Sequence, residues 1–340
     1  MCQAGKYRRG SVVTSVDMPA ITPDDVLKLP RIDRPRAGSA ERPVVAVVDA
    51  TATEEGEGFR VRRSIGSIDA RLTDPFLLLD HIGAVEYAPG EAKGAPDHPH
   101  RGFETVTYIM DGQLVHRDSN GGGGLITDGA TQWMTAGAGI VHSEMPSEQI
   151  VMQGGTFHGA QLWVNLPAEK KWTPPRYQDI EPGSVSLVTT HDGGAVVRLI
   201  AGDLGGQEGP GVTWTPITYA HLSLSPGARL EVPWRKEFNA LAYALAGRGS
   251  AGAGHRPFGE GDLAIFGDGD HLVITADDAQ ERRSPTLEVL LVGGKPIGEQ
   301  IAWYGPFVMN TKAEIVQAVE DFRAGRMGSI PAEVARNTAD

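Results

Sequence analysis

Two pairs of possible metal ligands, each with one residue between its members, constrain the fold of this chain more than any other feature. The segment DHPH carries His98 and His100, and the segment GIVHSE carries His142 and Glu144. Side chains two residues apart project from the same face of a β-strand, so each pair can direct both members to one point. Three imidazoles and a carboxylate that converge are typical of a transition-metal site. The spacing therefore predicts two neighbouring strands that share a metal.

The sequence around both pairs favours short strands. Residues 103–109, after the first pair, are β-branched and aromatic, and the glycines at 133–139, before the second pair, permit a sharp turn. Apolar stretches such as 44–48 and 75–80 alternate with turn residues. The 44 Gly and 23 Pro in the chain suit many short strands better than long helices. We therefore predict an all-β fold, and the length of 340 residues suggests about two domains.

The domain boundaries follow from changes in composition along the chain. The first 42 residues show little hydrophobic periodicity, which indicates an extended arm. Prolines cluster between Pro167 and Pro175, as expected for a connection between two domains. The predicted division is an N-terminal arm at 1–42, a metal-binding domain at 43–175, a second domain at 176–310, and a C-terminal helix and tail at 311–340.

The second half of the chain repeats the first half in outline. Three pairs of identical residues share a displacement of 135 positions: Phe103 and Phe238, Tyr108 and Tyr243, Gly112 and Gly247. The same displacement places other residues at the positions of the four candidate ligands: Pro233, Arg235, Asp277 and Ala279. We predict an internal duplication in which the second copy lacks the ligand set. Two unrelated β-domains are the alternative.

One amphipathic helix is predicted near the end of the chain. Thr311 and Glu314 have the spacing of a capping box, and Gly325 can end the helix. The apolar residues recur at helical spacing: Ile315, Ala318, Val319 and Phe322. Packing against a β-domain is the simpler role for this helix, and binding of a partner is the alternative.

Charge and cysteine content exclude several classes of protein. The net charge of −12 and the pI of about 5.3 disfavour direct binding to nucleic acid. The single cysteine, Cys2, excludes an intramolecular disulfide and fits a reducing compartment. No run of 18 apolar residues occurs, and the N-terminus has no apolar signal core. We therefore expect a soluble, cytoplasmic protein that does not bind a membrane.

Longer strings around the ligand pairs resemble the pirin family of the cupin superfamily, over roughly residues 60–328. The strings are DHPHRGFETVTYI at 97–109, QWMTAGAGIVHSEMP at 132–146, QLWVNLP at 161–167 and GPFVMNT at 305–311. The resemblance implies two consecutive antiparallel cupin β-barrels, with an iron-type metal in the first barrel only.

The identity of the ligating carboxylate depends on which family pattern applies. General cupins use HxHxxxE, which would select Glu104, whereas pirins use the glutamate two residues after the last histidine, which is Glu144. The resemblance to pirins therefore implies His98, His100, His142 and Glu144 as ligands. Glu104 would then either be a structural acid or orient a ligand imidazole by accepting its free N–H. Fe(II) is the expected metal, and the N/O ligand set also tolerates Mn, Co, Ni, Cu or Zn.

The resemblance implies a quercetin 2,3-dioxygenase reaction on flavonol-like substrates. The expected partners are a small aromatic substrate and O₂, and Glu144 would accept the proton of the substrate 3-hydroxyl. Four protein ligands leave an open position on an octahedral ion, as catalysis requires. The alternative is a non-enzymatic, metal-dependent interaction protein or transcriptional co-regulator that binds a protein partner.

Several other residues have two interpretations. Arg101 either holds a carboxylate or forms a salt bridge at the barrel rim. His81 and His158 either line the pocket or have a structural role. The pocket wall or core packing is expected for three apolar residues: Phe103, Trp133 and Met134. A structural or surface role is expected for the remaining histidines: His116, His191, His221, His255 and His271.

Overall fold

The structure is a computed structural model that describes residues 23, 25–66, 68–280 and 284–330. Most of the predicted arm, and the end of the predicted tail at 331–340, lie outside the described residues. Within the arm, Val26–Lys28 forms a short 3₁₀ helix. Ile32 is buried in the core of the second barrel, and the buried Arg42 donates to the carbonyl of Phe238 over 2.8 Å. The described end of the arm is therefore anchored on the second barrel.

The fold is all-β, as predicted, and consists of two cupin barrels. The strands of the first half are β1 (Val44–Asp49), β2 (Thr51–Glu55), β3 (Phe59–Ile65), β4 (Phe76–Tyr87), β5 (Ala95–His100), β6 (Phe103–Asp111), β7 (Leu114–Asp118), β8 (Gly123–Ile126), β9 (Thr131–Thr135), β10 (Ile140–Pro146), β11 (Gly155–Asn165) and β12 (Arg176–Ile180). Those of the second half are β13 (Ser186–Thr189), β14 (Ala195–Ala201), β15 (Asp203–Leu204), β16 (Gln207–Glu208), β17 (Ile217–Leu224), β18 (Arg229–Pro233), β19 (Asn239–Ala246), β20 (Arg248–Ala251), β21 (Arg256–Gly259), β22 (Asp262–Phe266), β23 (His271–Ala276), β24 (Leu287–Gly294), β25 (Ala302–Tyr304) and β26 (Phe307–Met309).

Short helices connect some of these strands. The α-helices are α1 (Ala70–Thr73), α2 (Glu148–Gln153) and α3 (Lys312–Arg323), and two further 3₁₀ helices are Ala168–Lys170 and Pro182–Ser184. None of the helices in the described ranges has both the length and the apolar character needed to cross a membrane.

The two barrels have matching strand orders, which supports the predicted duplication. The seven-stranded sheets run β12-β9-β6-β11-β4-β3-β2 and β1-β22-β19-β24-β17-β14-β13, and the four-stranded sheets run β5-β10-β7-β8 and β18-β23-β20-β21. In this correspondence β6 matches β19, which is the pair that the displacement of 135 positions predicts. At the edge where the two large sheets correspond, the first sheet has β12 and the second sheet has β1. β1 precedes the first barrel in sequence but pairs with β22 of the second barrel. The chain therefore contributes a strand to the second barrel before it forms the first.

Among the described residues, the second barrel has aliphatic side chains where the first barrel has its histidines. The strands that match β5 and β10 are β18 and β23, and they contribute Leu230, Val232, Leu272 and Ile274 to a closed apolar core. A second apolar cluster contains residues of both large sheets, including Val106 and Leu162 of the first and Leu241 and Leu290 of the second. The cavity at the predicted ligands lies in the first barrel.

The C-terminal helix has the predicted capping box, in which Thr311 and Glu314 bond to each other's backbone N–H. Ala318 is buried with Val141 and Phe307, so the helix packs on the first barrel. Gly325 follows the helix with a positive φ of 71°, which glycine adopts readily. The expected packing role of this helix is confirmed.

Candidate metal centre

Strand pairing brings the three predicted histidines together. β5 and β10 are antiparallel neighbours in which His142 pairs with His98 and Ile140 pairs with His100. One possible ligand atom from each of His98, His100 and His142 lies within 4.8 Å of the others. In the part of the chain that the structure describes, these form the one group of three or more metal-binding side chains at such distances.

Two imidazoles in this group, His100 and His142, have the protonation and the free nitrogens that a metal requires. Burial, and secondarily the neighbouring imidazoles, lower the pKa of both His100 and His142 well below the ordinary value, which keeps the rings neutral. The Nδ1 of His100 and the Nε2 of His142 are buried without a hydrogen-bond partner. His98 Nδ1 lies 2.7 Å from the carbonyl of Pro96, to which it donates, so this hydrogen bond does not use Nε2. Neutral imidazoles with unused lone pairs fit a transition metal.

Glu144 lies in the wall of the same cavity but is not part of the group of three imidazoles. Thr107 Oγ1 donates to Glu144 Oε1 over 2.8 Å, and Gln161 Nε2 donates to Oε2 over 2.8 Å. Trp163 Nε1 in turn donates to Gln161 Oε1 over 3.1 Å. Both carboxylate oxygens are thus held in one orientation by neutral donors. The role of Glu144 as a fourth ligand stays a prediction.

Glu104, the alternative ligand, is fully buried away from the cavity. Thr135 Oγ1 donates to its Oε1 over 2.6 Å. Burial raises the pKa of Glu104 to about 7, because the charged form lacks solvation. Of the two roles expected for Glu104, the structural one agrees with this geometry, because Glu104 accepts from a threonine hydroxyl and not from a ligand imidazole.

His116 contacts a predicted ligand instead. Its Nε2 lies 3.1 Å from Nδ1 of His142 and 3.1 Å from the hydroxyl of Tyr177. His116 belongs to β7, where it pairs with Glu144 of β10. The sequence indicated only a structural or surface role, because His116 has no partner at ligand spacing. Its contact depends on strand register, which the motif does not contain.

A cavity of about 620 Å³ opens onto His98 and His100. Its apolar wall comes from β3, β4 and β11, and includes Phe59, Val61, Leu78, Ile82, Phe157 and Trp163. The three apolar residues proposed from sequence do not line it: Phe103, Trp133 and Met134 are buried in core clusters. The core interpretation is correct for these residues.

His81 and His158 also point away from the cavity. Their Nε2 atoms are 2.9 Å apart, and His81 Nδ1 lies 3.1 Å from the hydroxyl of Tyr243 in the second barrel. Burial lowers the pKa of His81 well below its ordinary value. This chain of contacts joins the two barrels, so the structural interpretation is the correct one.

The C-terminal segment closes over the ligand loop. Arg101, next to His100, forms a buried ion pair of 2.7 Å with Asp321 of α3, and its Nε donates to the carbonyl of Ala138 over 2.6 Å. Trp303 and Pro306 lie at the cavity, beyond the point where the second barrel ends. The site in the first barrel therefore includes residues from the C-terminal part of the chain.

Comparison with known proteins agrees with this architecture. The Pirin family profile matches residues 58–164, and the profile of the Pirin C-terminal cupin domain matches residues 219–328. This chain belongs to the pirin family. A pirin-like protein of Arabidopsis thaliana is 42% identical over 84% of this chain and 90% of the relative, and human pirin is 36% identical over 86% of this chain and 95% of its own. Among solved structures, a quercetin 2,3-dioxygenase from Acinetobacter baumannii is similar with a TM-score of 0.79 and 35% identity, over 85% of this chain and 99% of that one.

Proposed function

We propose that this pirin is a metal-dependent dioxygenase of flavonol-like substrates. The observation that carries the proposal is the cavity of about 620 Å³ lined by His98 and His100, beside a group of three imidazoles in which His100 and His142 each have a buried nitrogen without a hydrogen-bond partner. The similarity to a solved structure described as a quercetin 2,3-dioxygenase supports the same reaction. The cavity has the size of a typical small-molecule site.

The proposed ligands are His98, His100, His142 and Glu144, with Fe(II) as the first choice of metal. An ion in an open N/O site supplies Lewis-acid and one-electron chemistry towards O₂ and a bound enol. The same donor atoms also accept Mn(II), Co(II), Ni(II), Cu(II) or Zn(II), so the chain does not select iron by donor type alone.

The residues of the chain position the substrate and take up a proton. The apolar wall from β3, β4 and β11 suits a planar aromatic ring. Glu144 is the proposed acceptor for the proton of the substrate 3-hydroxyl. Thr107 and Gln161 hold its two oxygens, so the carboxylate faces the substrate in a fixed orientation.

Oxygen consumption by the iron-loaded protein tests this function. The panel should contain flavonols and other enolisable aromatics, with carbon monoxide measured as a product and the His142→Ala variant as a control with an impaired site. We expect oxygen uptake and carbon monoxide release with at least one flavonol, and neither with the variant. No uptake with any flavonol would reject the enzyme, and a metal-dependent interaction protein would then be the better account.

A further inference from the structure

A row of polar side chains begins next to Glu144 and runs across the wall of the cavity. Thr107 on β6 pairs with Gln161 on β11, Gln161 pairs with Asp80 on β4, and Asp80 pairs with Arg63 on β3. All four residues line the cavity. Register partners on neighbouring strands project from the same face, so the row is continuous across four strands.

The far end of this row is a buried carboxylate held by one guanidinium. Arg63 Nε donates to Asp80 Oδ1 over 2.8 Å, and Arg63 Nη2 donates to Asp80 Oδ2 over 2.6 Å. The same Nη2 also donates to Glu55. The Asp80 side chain is only 7% exposed. Each of its oxygens still has a lone pair for another donor, whereas Arg63 is already shared between two carboxylates.

Apolar residues flank the row on both sides. Leu78 and Trp163 lie on one side along their strands, and Val61, Ile82 and Phe157 lie on the other. Neighbouring strands are roughly 4.8 Å apart, so Asp80 lies about 10 Å from the strand of Thr107. The cavity therefore offers an apolar slot with polar groups at two separated points.

Charge at the cavity favours ligands that donate hydrogen bonds. The carboxylates that line it are Glu55, Asp80, Asp97 and Glu144, and the cationic side chains are Arg63 and Lys93. Burial raises the pKa of Asp80 in spite of Arg63, because the ionised carboxylate lacks water. A ligand hydroxyl that donates to this carboxylate would replace the missing water.

We propose that Asp80, oriented by Arg63, accepts a hydrogen bond from a phenolic hydroxyl on the part of the substrate that is distant from the metal. The cavity then selects neutral, polyhydroxylated aromatics and discriminates against their methyl ethers and carboxylates. This inference rests on the proposed function, since it assumes that the enol end of the substrate lies at the histidines.

A series of ligands tests the proposal on the unmodified protein. Calorimetric titration of the iron-loaded protein under argon would compare 3-hydroxyflavone, a flavonol with a hydroxyl on the ring distant from the enol, and the methyl ether and carboxylate at that same position. From the usual free energy of a hydrogen bond to a charged group, we expect the hydroxylated flavonol to bind roughly ten- to a hundredfold more tightly than its methyl ether. The carboxylate should bind more weakly than either.

The Asp80→Asn variant tests the same contact from the side of the protein. It should lose most of the preference for the hydroxylated flavonol while its affinity for 3-hydroxyflavone changes less than about threefold. Glu86→Gln is a matched control, because Glu86 lies on the same strand but does not line the cavity. If Asp80→Asn does not fold, Glu55→Gln removes a more exposed charge from the same cluster and should shift the preference in the same direction.

The outcomes separate this inference from the proposed function. Equal binding of the hydroxylated flavonol and its methyl ether, or an unchanged preference in Asp80→Asn, would overturn the role of Asp80 and leave the dioxygenase intact. If none of the flavonols binds, both proposals fail.

Discussion

The Nε2 of His116 lies 3.1 Å from the Nδ1 of His142. A His142 ring that donates from Nδ1 keeps its lone pair on Nε2, which is the buried nitrogen that has no hydrogen-bond partner. A metal on Nε2 of His142 would leave the proton of that ring on Nδ1, where His116 Nε2 is placed to accept it. Contacts of this kind fix the ring orientation of ligating histidines and raise their basicity.

Replacement of His116 should therefore weaken metal binding without removal of a ligand. We expect His116→Leu to raise the dissociation constant for Co(II) by roughly 10- to 100-fold. His116→Gln retains an acceptor and should recover part of the loss. Competition with a chromophoric chelator measures both constants, with His191→Gln as a control because His191 is exposed. Identical constants in His116→Leu and the wild type would contradict the role of His116.

The protein should bind one metal ion per chain. The first barrel has the three histidines, whereas β18 and β23 of the second barrel fill the matching space with aliphatic side chains. Elemental analysis after reconstitution and gel filtration checks the ratio. Two ions per chain would show that a second site exists.

The choice between Glu144 and Glu104 as ligand can be decided by metal content. Glu144→Ala should lower occupancy, because the loss of one of few ligands weakens a site. Glu104→Ala should retain the metal, since Glu104 is buried with Thr135 and does not line the cavity. His98→Ala and His142→Ala provide the reference for a lost ligand. Full occupancy in Glu144→Ala together with loss in Glu104→Ala would reverse the assignment.

Glu104 should also make stability depend on pH. Its pKa of about 7 in the folded state lies above the value of roughly 4.5 expected for the unfolded chain, so the folded state binds the proton more tightly. The stabilisation from this carboxyl is complete below about pH 4.5 and is lost as the pH rises through 7. Relative to Glu104→Gln, the metal-free wild type should lose on the order of 2–3 kcal/mol of unfolding free energy between pH 5 and pH 8. Urea unfolding of both proteins at several pH values measures the difference, and a constant difference would contradict the raised pKa.

The sequence predicts those parts of the fold and of the site that depend on local periodicity. The convergence of His98, His100 and His142 follows from the i, i+2 spacing on strands, and the helix after Thr311 follows from its capping box and apolar spacing. The pairing of Arg63 with Asp80 could not be predicted in the same way, because it depends on the register between β3 and β4. The placement of β1 in the second barrel is equally non-local, since its partner β22 is more than 200 residues away in sequence.

The residues of the pocket wall could not be predicted from local periodicity either. Phe103 and Trp133 are near the ligand motifs in sequence, yet strand alternation directs them into the core. The residues that line the cavity instead, such as Phe59 and Phe157, come from distant strands and carry no motif. Proximity in sequence to a ligand therefore did not predict proximity to the cavity.

The catalytic role of Glu144 can be separated from its role in metal binding by Glu144→Gln. The substitution is nearly isosteric and removes the anionic proton acceptor, so turnover of a flavonol per bound iron should fall by about 10²- to 10⁴-fold. Glu104→Gln is a matched control, because it makes the same change at a buried glutamate that does not line the cavity. Metal content must be measured on each sample, since the neutral amide is a poorer ligand than the carboxylate. A Glu144→Gln protein that keeps its iron and turns over at the wild-type rate would remove Glu144 from the reaction, and the proton would then have to leave the substrate by another route.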